Sequence, residues 1–177
     1  LDGKSSCRAW AGVIPKEEAD QFFEELTKEE FKAGTVKVFN KEHATPRLLL
    51  TQGARYKFSG KDQAAKPWTP VMKRLRRRAH DFLRQKGYDV PQAPNVVHAC
   101  HYRGGGDSIG FHADNEPSII SETPILCLSF GGTRLLDIKD ESKKTVASIP
   151  CSHGSIVIMS GKMQKTHKHG ITKTKKS

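Results

Sequence analysis

His112 and Asp114 stand two residues apart in Phe111-His112-Ala113-Asp114, so an extended strand would send both side chains off one face. His169, near the other end of the chain, offers a second imidazole. Two imidazoles and one carboxylate on a single face of an octahedron leave three positions open, which is how a non-haem Fe(II) centre admits a co-substrate and dioxygen. Taken alone, His-x-Asp is more often a structural ion pair than a pair of ligands. His167 shares a face with His169 and competes with it; only one of the two can complete such a site.

The elements that must carry these residues fall in the second half of the chain. From Asn95 onward the sequence turns to short β-rich runs separated by turn signals: 95–102, 108–114, 124–130, 133–138, 145–149, 155–160 and 168–172. Gly104-Gly105-Gly106-Asp107 supplies a turn that folds the next strand back; it lacks a following Lys-Ser/Thr and opens no helix, so it is not a phosphate loop. Seven runs after a more helical first half predict an antiparallel sandwich buttressed by helices.

In that first half, Ile14-Pro15 opens a helix whose Ala19, Phe22, Phe23 and Leu26 recur at helical spacing, and Thr27-x-x-Glu30 reads as a capping box continuing it. Val36, Val38 and Phe39 form a short strand before a polar turn over Asn40–His43, and Leu48–Thr51 and Tyr56–Phe58 form two more. Thr69 caps a second helix with Pro70 at its first position. Its apolar stripe is Val71, Met72, Leu75, Ala79, Phe82 and Leu83, and its other face carries Lys73, Arg74, Arg76, Arg77, Arg78 and Arg84. Such a charge run is usually a solvated face, but it can also track phosphates.

The 177 residues fit one domain, 1–177, with helices and a recognition region over about 14–94 and a β core over about 95–172. Lys and Arg number 30 against 19 acids, a net charge of +11 and a pI near 9.6, which favours nucleic acid as partner ahead of an anionic membrane surface. No apolar run approaches the roughly 20 residues of a membrane span, and no secretory signal pattern opens the chain. Cys7, Cys100, Cys127 and Cys151 contain no C-x-x-C, and three lie in apolar, strand-like stretches that suit buried free thiols. A reducing intracellular compartment and a monomer are expected.

With these residues laid out, the chain resembles the AlkB family of Fe(II)- and 2-oxoglutarate-dependent nucleic-acid dealkylases over nearly all of 14–171. The residues that carry the likeness are Tyr102 followed by Phe111-His112-Ala113-Asp114-Asn115-Glu116-Pro117, then Pro124 to Gly131, His153-Gly154-Ser155 and His169. The resemblance implies an α+β fold, mainly β, with a double-stranded β-helix (jelly roll) flanked by N-terminal helices. It makes His112, Asp114 and His169 the iron ligands and Tyr102 a hydrogen-bond donor to 2-oxoglutarate. It leaves His167 as a polar loop residue. Cofactors would be Fe(II), 2-oxoglutarate and O2, with ascorbate as reductant in vitro.

Pro46-Arg47, Tyr56-Lys57-Phe58-Ser59-Gly60 and Lys66-Pro67-Trp68 resemble the recognition region of animal members that act on duplex DNA. Phe58 would stack on a flipped base, Tyr56 would border the same pocket, and Val38-Phe39 would wedge into the vacated stack. The implied reaction removes methyl groups from 1-methyladenine or 3-methylcytosine as formaldehyde, reversing DNA damage directly. Glu116 would favour a cationic base. Asn115 replaces an expected Asp and Cys100 an expected Asn, weakening the preference for cationic lesions and the contacts to 2-oxoglutarate respectively. The family's closing Arg-x-Asn-x-x-x-Arg is absent, and the expectation is that the chain is cut short before it; Lys173 or Lys175 would offer weaker charge. Three rival readings remain: an RNA demethylase, since His112–Glu116 and Gln164–His169 also resemble plant-virus domains; an inactive nucleic-acid-binding module; and hydroxylation of a protein or of a normal base as a regulatory mark, which Asn115 permits.

Overall fold

The computed structural model describes residues 4–38, 41–58, 61–63, 66–117 and 119–175; within these, the side chains of 36–38, 41–42, 56–58 and 61–63 fall outside the description. The elements run β1 (Ser5–Trp10), α1 (Lys16–Thr27), β2 (Lys32–Val38), β3 (Lys41–Gly53), β4 (Tyr56–Phe58), β5 (Lys61–Gln63), α2 (Pro70–Gln85), β6 (Val96–His101), β7 (Ile109–His112), β8 (Ile125–Ser129), β9 (Arg134–Lys139), β10 (Thr145–Cys151), β11 (Ser155–Gly161), α3 (Met163–Thr166) and β12 (Lys168–Ile171). They fall into two compact units: 1–27 with 102–177, and 28–101. No described helix is long and apolar enough to cross a membrane.

The first unit holds two antiparallel sheets, β1-β11-β8 and β10-β9-β12-β7. Ser155-Ile156-Val157-Ile158-Met159 in β11, the central strand of its sheet, is buried on both faces, which explains why its sequence runs apolar without alternating. Val157 and Met159 join Leu136, Ile138, Cys151 and Met163 in one core cluster. In α1, Glu17 and Glu18 occupy the first turn, where the helix dipole favours acids, and Lys16 pairs with Asp20 one turn on. Ala19 and Phe22 face inward.

In the second unit β2, β3 and β6 form one antiparallel sheet and β4 with β5 a hairpin. The expected apolar stripe of α2 is buried throughout, from Val71 to Leu83.

Several sequence expectations need correction. Thr27 opens no further helix: its hydroxyl donates back to the Glu24 carbonyl at 2.7 Å, and the chain passes through a short turn into β2. The polar turn over Asn40–His43 is mostly strand, since Lys41, Glu42 and His43 pair with Val38, Lys37 and Val36; cross-strand pairing overrides polar composition there. Thr69 sits at the N-cap position of α2 but makes no side-chain cap, because its N–H and hydroxyl turn to Gln52 Oε1. The segment ahead of Ile14, to which the sequence pattern gives no element, contains β1, whose six residues register against β11. All four thiols are free, yet only Cys151 is buried; Cys7, Cys100 and Cys127 are half-buried.

Candidate metal centre

β7 and β12 lie antiparallel with His112 directly opposite His169, and the two imidazoles stand with centroids 4.3 Å apart. Close approach of these strands depends on Gly170. A Cβ there would sit 2.9 Å from the Ile109 carbonyl and 3.2 Å from Gly110, too close for a side chain without the backbone giving way. A small residue beside the ligand thus lets the two histidines meet.

Asp114 does not share a strand face with His112, as the sequence spacing suggested, because β7 ends at His112. It is held from outside instead: its backbone N–H donates to Gln164 Oε1 of α3 at 2.9 Å. The carboxylate then faces both imidazoles, Oδ1 at 3.5 Å from His112 Nε2 and Oδ2 at 3.4 Å from His169 Nε2. One ligand atom from each of the three residues lies within 4.8 Å of the others, the only such grouping among the described residues. Burial by itself would push the Asp114 carboxyl up; hydrogen bonds and charge from His112 and His169 outweigh it and hold the group well below the usual carboxylate range.

The donor set suits a cation. His112 Nδ1 donates to the Gly110 carbonyl at 2.8 Å, which leaves Nε2, the ring atom that faces the carboxylate, as the one a metal would take in place of a proton. His169 is 5% exposed, and its Nδ1 is buried without a hydrogen-bond partner among the described residues. Nε2 of each ring faces the Asp114 carboxylate, so what lies between them must be positive: protons in the bare protein, or a cation in their place. A divalent metal that accepts imidazole and carboxylate supplies that charge, and Fe(II) does so with positions to spare.

His167 is a different case. Its Nδ1 is 2.7 Å from Thr166 Oγ1, and it stays outside the triad. Gln164 was not singled out as a site residue by sequence reasoning; nothing in its local pattern signals a contact to a residue fifty positions earlier. Arg134 was also missed. Its guanidinium lies 5.4 Å from the Tyr102 ring centroid and donates to the carbonyls of Gly104, Asp107 and Thr172.

A family model described as the 2OG-Fe(II) oxygenase superfamily matches residues 6–177. The chain belongs to this superfamily. Within it, the chain is 34% identical over 179 residues to the human protein named DNA oxidative demethylase ALKBH2, covering 93% of this chain and 66% of that relative's length. An RNA replication protein of Grapevine virus A is 25% identical over 117 residues, 66% of this chain and 6% of that protein. Among solved structures, OsALKBH1 aligns with a TM-score of 0.62 at 16% identity, over 94% of this chain and 85% of its own, a likeness of fold. The expected family and the jelly-roll class are thereby borne out.

The remaining candidates are placed as follows. Asn115 is exposed and Glu116 half-buried, directly after the triad's aspartate. Tyr102 is half-buried in the same unit. Cys100 pairs with Leu49 in the other unit. Arg47, expected to meet substrate, is 4% exposed. Tyr56 and Phe58 stand two apart on β4, and Val38 ends β2; their side chains, and Phe39 entirely, lie outside the described residues.

Proposed function

We propose that the protein is an Fe(II)- and 2-oxoglutarate-dependent dioxygenase that removes methyl groups from N-alkylated nucleic-acid bases, with 1-methyladenine and 3-methylcytosine in duplex DNA as its substrates. The convergence of His112, Asp114 and His169 carries the reading. Those three would hold Fe(II). The bound metal with 2-oxoglutarate and dioxygen would supply the oxidation of the methyl group, which then leaves as formaldehyde.

The chain's own residues have narrower tasks. Gly110 keeps the proton of His112 on Nδ1, and so keeps Nε2 available to the metal. Gln164 fixes the backbone of Asp114. Tyr102 would donate its phenolic proton to 2-oxoglutarate, while Arg134 packs against its ring. Asn115 and Glu116, next in sequence to Asp114, would meet the polar edge of the base, and Phe58, Tyr56, Val38 and Phe39 would stack on it or fill its place. A net charge of +11 favours a polyanionic strand. Four free cysteines suit a reducing compartment.

The test is formaldehyde release coupled to succinate formation, from duplexes carrying either lesion, with Fe(II), 2-oxoglutarate and ascorbate. Turnover by the unaltered chain and its loss in His112→Ala is the expected result. Activity confined to RNA would move the substrate to RNA, which the viral likeness favours. Silence on duplex DNA, single strands and RNA alike would reduce the protein to a binding module.

A further inference from the structure

α2 breaks the charge rules that α1 obeys. Its first turn holds no acid, where the dipole would favour one, and carries Lys73 and Arg74 close behind. Lys73 and Arg77, and likewise Arg74 and Arg78, are like charges one turn apart, a spacing that destabilises a helix. Six cations share the helix with one acid, Asp81, and Asp81 forms no ion pair among the described residues. A sequence that accepts such local conflict usually has a use for the charge.

Some of these cations are already engaged. Arg76 donates to the Pro94 carbonyl at 2.6 Å and lies over Trp68, and Arg74 is half-buried. Lys73, Arg77 and Arg84 are exposed and pair with no described residue. At 3.6 residues per turn the three fall within about 40° of one another around the helix. Along the axis they are separated by about 6 and about 10.5 Å, close to two and three of the 3.4 Å steps between phosphates on a strand.

The row ends at a groove of about 510 Å³ lined by Arg84 with His80, Tyr88 and Asp89. His80 Nε2 is 2.9 Å from the Val90 carbonyl, which ties the helix to the groove's far wall. Arg84, beside Tyr88 and His80 in the groove, can meet a phosphate of the strand. Asp89 in the same lining would repel a phosphate and so favour the Arg84 side.

We propose that the outward row Lys73, Arg77 and Arg84, with the groove at its end, binds the sugar–phosphate backbone of a nucleic acid without reading its sequence. The proposal rests on the reading of the substrate as nucleic acid and assigns a surface to its backbone.

The test measures binding of the full chain to an unmodified, labelled DNA duplex by fluorescence anisotropy, between about 50 and about 200 mM salt. The combined variant Lys73→Gln, Arg77→Gln, Arg84→Gln should lower the slope of log K against log salt by up to about 2.7, at about 0.9 for each lost phosphate contact. Its thermal midpoint should equal or exceed that of the unaltered chain, since repulsion is relieved. A control of equal charge, Arg8→Gln, Lys143→Gln, Lys144→Gln, takes its three exposed cations from the other unit and should leave the slope nearly intact. Equal slopes for the two triple variants would overturn the proposal, as would an unchanged slope in the α2 variant while the unaltered chain binds. Loss of binding to phosphatidylserine vesicles with DNA binding intact would overturn it in favour of a lipid surface. Failure of the unaltered chain to bind any nucleic acid would overturn the functional reading along with it.

Discussion

His112, Asp114 and His169 converge, whereas the cations of α2 are spread out. The first group gathers its donor atoms within 4.8 Å of one another from two strands and the loop that follows the first of them, largely out of water. The second sets Lys73, Arg77 and Arg84 along the outward side of one helix, none of them paired with a described residue. Convergent groups in a low-dielectric setting depend on one another, so that removing any one leaves the others unbalanced. Spread charges in water act nearly independently. Function of the first kind should be all-or-none under mutation, and of the second kind graded.

Asp114→Ala should show the largest effect. It leaves two histidines to hold the metal and should lower Fe(II) affinity and turnover by well over about a hundredfold, because even outer partners of metal ligands cost about 10- to 100-fold when lost. Titration with Fe(II) under anaerobic conditions measures the affinity, and retention of tight binding would mean that the triad is not the metal site. Chelation of the unaltered chain should stop turnover equally, and added Fe(II) should restore it.

Gln164→Ala sharpens the contrast from one step further out. It removes only the acceptor for the Asp114 N–H, and the expected loss of metal affinity is about tenfold, with the fold retained. Wild-type affinity in this variant would show that the loop holds Asp114 without α3.

On α2 the single changes Lys73→Gln, Arg77→Gln and Arg84→Gln should each lower the salt slope of DNA binding by about 0.9, adding up without any one abolishing it. A collapse of binding from one substitution alone would break the contrast, because that residue would then be a specific anchor.

The smallest effect concerns Cys7. Burial first, and then the neighbouring Cys151, push its thiol up to about 11. A thiol whose folded pKa is raised favours the folded state below the ordinary value near 9 and loses that contribution as pH climbs toward about 11. Stability should therefore decline slightly over that window, and alkylation of Cys7 should stay slow until its upper end. Denaturant midpoints and thiol labelling followed by mass spectrometry check the two halves. Rapid labelling at neutral pH would contradict it.

How much was legible in advance differs between the same two regions. The apolar stripe of α2 and its cationic face could be read directly, since a helix fixes which residues share a side once its period is known. β11 was equally plain from its unbroken apolar run. By contrast, β1 was missed, because Ser5-Ser6-Cys7-Arg8-Ala9-Trp10 becomes a strand only by pairing with β11. The capping box at Thr27 was over-read for the complementary reason. A local motif was present, but the sheet beginning at Lys32 claimed the chain.

For the metal site, the residue types and their order determined the chemistry: two kinds of ligand, one superfamily, one expected metal. The sequence could not choose between His167 and His169 by spacing, nor show that Asp114 lies past the end of its strand. Strand register made the first choice, by setting His169 opposite His112 and leaving His167 beside Thr166. A contact from α3 made the second. Ligand identity is a property of single side chains and travels with the sequence. Ligand geometry is a relation between strands far apart in the chain, and it exists only once the backbone has paired.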